Sequence, residues 1–134
     1  MVEGLSHITF IVSDLDRMEK LLVTVLDAEK TYDSGAASHS LSPERFFDIG
    51  GVWVAVMQGP ALGERSYNHV AFKIAEDEYE ARLARIEALG LDVREGRARI
   101  AGEGRSIYFH DYDNHLFELH TGTLATRLAR YARG

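Results

Sequence analysis

The chain has 134 residues, 46% hydrophobic and 27% charged, with a net charge of -6; this is one globular domain's worth of chain, long enough for a proper core. It contains no cysteine, which excludes disulfides, thiolate metal sites and a cysteine nucleophile, and fits a reducing cytosol. The acidic balance argues against nonspecific nucleic-acid binding, and no window reaches the roughly 18 apolar residues of a membrane span.

The opening stretch MVEGLSHITFIVSD lacks the basic start and long apolar run of a signal peptide, so a cytoplasmic protein is expected. Within it, 5–12 alternates β-branched and aromatic residues and reads as a strand. Ser13 fits a helix N-cap with Asp16 as the capping-box acid. Met18, Leu21, Leu22, Val25 and Leu26 then recur at helical spacing, one face for the core. KTYDSG returns to a strand, 35–44 is small and polar and reads as a loop, and RFFDIG and VWVAVMQG form two strands about Gly50-Gly51.

After a Pro/Gly break at 59–63 the same order begins again. YNHVAFKI is a strand; EDEYEARLARIEALG is a helix with Tyr79, Leu83 and Ile86 inward and Gly90 as its stop. LDVREG, RSIYFHD and HLFELHTG are three further strands, and a last helix, about 124–132, opens after Thr123 as N-cap. Sliding the chain by 62 residues sets His7 on His69, Val12 on Ile74, Leu21 on Leu83, Phe46 on Tyr108, Phe47 on Phe109 and Val56 on Glu118. We therefore expect an α+β fold of two tandem βαβββ modules, about 1–60 and 64–122, related by pseudo-twofold symmetry. Each is too small to bury its sheet face alone.

Glu118 lies mid-strand between Phe117 and Leu119. Burying it ionised and unpaired would cost several kcal/mol, so it needs a cation, either an arginine or a metal. Strand alternation places Leu116, Glu118 and His120 on one face. If the two sheets face each other across the pseudo-axis, His7, His69 and Glu118 converge as two imidazoles and a carboxylate, the open set used by catalytic divalent metals. Val56, at the matching place, supplies no fourth ligand. Basic residues also gather, at Arg94, Arg97, Arg99 and Arg105 and again at Arg127, Arg130 and Arg133. They fit either a small anionic ligand or a solvated surface. GEGRS lacks the P-loop lysine and reads as a turn.

GLSHITFIV, YNHVAF, GEGRSIYFHDYDNHLFELHTG and RLARY together resemble the vicinal-oxygen-chelate, or glyoxalase-like, superfamily, and within it the fosfomycin-resistance enzymes. The resemblance implies metal ligands at His7, His69 and Glu118, Mn²⁺ as the ion with other divalent metals as alternatives, and a homodimer in which both chains complete the cup. It also implies an epoxide opened by water, with Glu44, in SPERFFDIGGVW, as the general base that takes a proton from water. The phosphonate donors it implies are Thr9, Arg94, Ser106, Tyr108 and Arg127, with Trp53 and Tyr67 at pocket-wall positions that packing alone would also explain. Thiol transfer to fosfomycin, ring cleavage by a metal dioxygenase and drug binding without turnover are the alternatives.

Overall fold

The computed structural model describes residues 1–36, 40–96 and 103–134. Arg97, Arg99 and part of the expected 35–44 loop lie outside the described residues. The chain divides into two compact units, Met1–Gly63 and Glu64–Gly134.

In the first unit, β1 (His7–Val12) leads into α1 (Leu15–Leu26), followed by β2 (Glu29–Asp33), β3 (Glu44–Ile49) and β4 (Val52–Gln58). The sheet order is β1-β4-β3-β2, with β1 parallel to β4 and the rest antiparallel. All five expected apolar residues of α1 are buried, as are Val12, Phe47, Val54 and Val56 of the sheet. Each such side chain contributes about 1.5–3 kcal/mol of burial. The N-cap is Asp14 rather than Ser13: the Asp14 carboxylate accepts the Arg17 amide. Ser13 instead accepts a hydrogen bond from the Arg17 guanidinium.

The second unit repeats the plan. β5 (His69–Lys73), a 3₁₀ turn at Glu76–Glu78, α2 (Tyr79–Ala88), β6 (Val93–Glu95), β7 (Ser106–His110) and β8 (Leu116–His120) form a sheet of order β5-β8-β7-β6. α3 (Leu124–Ala132) follows, with Thr123 as N-cap in a capping box with Thr126. Phe109 and Phe117 are fully buried and stacked at 5.4 Å. In α2 the buried side chains are Tyr79, Arg82 and Ile86, while Leu83 is half-buried. Arg82 holds its place by pairing with Glu78 one turn earlier.

The repeat is not in uniform register. Phe46 and Tyr108 occupy equivalent places, and they pair with Ala55 and Glu118 respectively. The partner of Glu118 in the first unit is therefore Ala55, not Val56. Between the equivalent pairs Asp48–Trp53 and His110–Leu116 the second unit has five intervening residues where the first has four, and one residue reverses which face every later side chain takes. Val56 points into the core and is fully buried. The position equivalent to Glu118 carries only a methyl group.

Candidate metal centre

Alternation and register assemble the second unit's candidate residues on one sheet face. Ala71, Glu118, Tyr108 and Arg94 lie directly opposite one another across β5, β8, β7 and β6. One step along, Lys73, His120 and Ser106 form the next row. Tyr67, which precedes β5, joins this face through its hydroxyl, 3.1 Å from that of Tyr108, although its side chain is 70% exposed. In the first unit His7, Thr9, Trp53 and Glu44 share one face by the same rule. There the His7 ring lies 4.2 Å from that of Trp53, and its Nδ1 is 2.9 Å from the Ser6 hydroxyl.

Glu118 is 6% exposed. Its Oε1 lies 3.0 Å from His69 Nε2, and its Oε2 accepts the Ser106 hydroxyl at 2.6 Å. His69 Nδ1 is 2.7 Å from the Tyr67 carbonyl oxygen, and only a protonated nitrogen makes that contact favourable. In the neutral imidazole the remaining nitrogen, Nε2, then aims a lone pair at a carboxylate oxygen. Two acceptors this close need a cation between or beside them, a proton or a metal ion. The separation suits a metal: neighbouring ligands at right angles, each bonded at about 2.1 Å, stand about 3 Å apart. One imidazole and one carboxylate form a borderline-hard donor pair that suits Mn²⁺, Fe²⁺ or Zn²⁺. The Tyr67 carbonyl fixes the His69 tautomer, as partners behind metal-bound histidines do. Among the described residues no three His, Cys, Asp or Glu side chains gather into a group that could hold an ion. The structure thus brings together two of the three expected ligands, with His7 on the first unit's sheet.

The expected substrate donors of the second unit separate into two groups. Tyr108 and Arg94, with the expected wall residue Tyr67, line a hollow of about 730 Å³ together with Arg65, Asp92 and His110. Burial, the Tyr67 hydroxyl and the negative charge of Glu118 push the Tyr108 phenol well above its ordinary range, keeping it a neutral donor. Ser106, only 2% exposed, and Arg127 are engaged elsewhere. The Ser106 hydroxyl is spent on Glu118, and Arg127 reaches His120 at 3.3 Å. Arg105, counted with the basic group in the sequence, is a structural residue. It pairs with Glu76 and Glu80 and covers the Tyr79 ring at 3.7 Å. His120, which alternation already placed on the face of Glu118, is the contact residue to which sequence reasoning gave no role.

Residues 4–119 match the model of the glyoxalase/bleomycin resistance protein/dioxygenase superfamily. The chain is 59% identical over its whole length to fosfomycin resistance protein FosX of Mesorhizobium japonicum, covering 96% of that protein. It is 53% identical to FosX of Listeria innocua, over 98% of each chain. Among solved structures it is similar to a glutamate-to-glutamine variant of FosX from Listeria monocytogenes, complexed with Mn(II) and 1S,2S-dihydroxypropylphosphonic acid. The TM-score is 0.87 at 50% identity, covering 98% of this chain and 99% of that one.

Proposed function

The chain belongs to the glyoxalase/bleomycin resistance protein/dioxygenase superfamily, and from that premise we propose that it is a Mn²⁺-dependent epoxide hydrolase. It adds water to fosfomycin to give the dihydroxypropylphosphonate and so confers resistance to the drug. The buried Glu118 carboxylate, 3.0 Å from His69 Nε2, is the observation that carries this reading. Close full-length similarity to FosX proteins supports the substrate, and the Mn(II) and diol held by a neighbour structure support the ion and product class.

In this reading His7, His69 and Glu118 would hold the ion, which would supply Lewis acidity for opening the epoxide. Glu44 does what water cannot do alone at neutral pH: its carboxylate accepts a proton as the water oxygen attacks the ring carbon, the ring C–O bond at that carbon breaks, and the released alkoxide takes up a proton to complete the diol. The Tyr108 phenol donates a hydrogen bond to a phosphonate oxygen without carrying charge of its own. Arg94 and Arg127 offer guanidinium forks for the remaining anionic oxygens, and Thr9 a further hydroxyl. Ser106 acts on the substrate only indirectly while its hydroxyl donates its hydrogen bond to Glu118. Trp53 and Tyr67 are the walls. A cytoplasmic homodimer completes the proposal, and among the described residues no helix is long and apolar enough to cross a membrane.

The test is phosphorus NMR of fosfomycin with the purified protein and Mn²⁺, with and without glutathione. The reading expects one diol product at the same rate in both. Product that forms only with the thiol present makes the protein a thiol transferase instead. Stoichiometric binding with no product makes it a binding protein.

A further inference from the structure

Ser106, His120 and Arg127 form an unbroken line behind Glu118. Arg127 Nη2 is 3.3 Å from His120 Nε2, His120 Nδ1 is 2.8 Å from Ser106 Oγ, and Ser106 Oγ is 2.6 Å from Glu118 Oε2. The direction of every bond follows from donor chemistry. A guanidinium can only donate, so His120 Nε2 accepts. The neutral ring then carries its proton on Nδ1 and donates it to Ser106 Oγ. The single hydroxyl proton of Ser106 is thereby free for one acceptor, and Glu118 receives it. From these constraints we infer that His120 is a positioning residue: through Ser106 it fixes the rotamer of the Glu118 carboxylate, leaving Oε1 turned toward His69.

Three further observations fit this role. Ser106 and His120 are directly paired across β7 and β8, so the backbone ladder sets their spacing. Ser106 is buried and His120 only partly exposed, so water competes weakly for their hydrogen bonds. The chain also keeps room for the imidazole. A Cβ at Gly122 would stand 2.8 Å from His120 Nε2 and 2.7 Å from the Glu103 carbonyl oxygen. Gly122 thus serves the ring as well as the turn that follows β8.

The inference rests on Glu118 being a metal ligand, and its test separates the two claims. The readout is the Mn²⁺ dissociation constant, from the electron paramagnetic resonance signal of free Mn²⁺ during titration of the metal-free protein, with fosfomycin absent. His120→Ala should weaken binding by roughly 10- to 100-fold, the range for partners that orient metal ligands. His120→Asn places an amide donor at the δ position and should restore binding to within about threefold of wild type. His120→Gln, whose amide reaches the ε position, should resemble the alanine variant. Urea unfolding of the metal-free variants checks that each remains folded. Wild-type affinity in His120→Ala, or equal loss in all three variants, overturns the positioning role alone. A wild-type protein that binds no Mn²⁺ overturns the metal assignment and this inference together.

Discussion

In the proposed mechanism, Glu44→Gln isolates the proton-accepting step from the structural part Glu44 plays. The residue opens β3, is 9% exposed and pairs with Met57 on the neighbouring strand. Its amide donates to the Ser34 hydroxyl at 3.0 Å, and its carbonyl accepts the Ser34 amide at 3.0 Å. None of these bonds uses the carboxylate, and glutamine matches it in volume, so the strand keeps its place. What disappears is the ability to take a proton. A positioned general base contributes about 10²- to 10⁴-fold, or roughly 3–5 kcal/mol of barrier. The turnover number, followed by phosphorus NMR, should fall by that factor. Mn²⁺ affinity and KM should stay within about twofold, because the base acts on water and not on the bound anion. A turnover number within about threefold of wild type would remove Glu44 from the mechanism.

Glu118→Ala should weaken Mn²⁺ binding beyond the roughly 100-fold ceiling for indirect partners, measured by the same titration; normal binding would refute the ligand set. Phe117→Ala should cost about 3–5 kcal/mol in urea unfolding, since the ring is fully buried against Phe109 and its removal leaves a cavity. A loss under about 1 kcal/mol would show that the second unit's core is not packed as described. Burial, followed by the nearby Arg65, lowers the pKa of His110 below its ordinary 6.5. The unfolded chain then binds more protons than the folded one just below that value, so stability falls as pH drops through 6.5 and levels off below the folded pKa. His110→Asn should flatten that limb of a stability–pH curve; an unchanged slope would contradict the assignment.

The tandem plan was legible because it rests on periodicity. Helix α1 shows all five of its buried residues at helical spacing, and His7 and His69 announce the repeat. Register was not legible. The one residue more between His110 and Leu116 than between the equivalent Asp48 and Trp53 is ordinary loop variation in sequence, yet it turns Val56 to the core and Glu118 to the face it shares with Tyr108. In the longer turn, Asp111 is spent on backbone amides and the His115 ring, and Asn114 takes a positive φ of 72°. Both features belong to the turn rather than to the site. Arg82 took a core position because its long stem packs while its head finds Glu78, a compromise that apolar counting cannot register. His120 and Ser106 stand 14 residues apart, and only the antiparallel pairing of β7 with β8 makes them neighbours.

Water as the nucleophile is the centre of the account. Its direct test is mass spectrometry of the product formed from fosfomycin and Mn²⁺ in ¹⁸O-labelled water without added thiol. The expected product is a diol that has taken one oxygen from the solvent. A product with no solvent oxygen, or none until a thiol is supplied, would contradict the account.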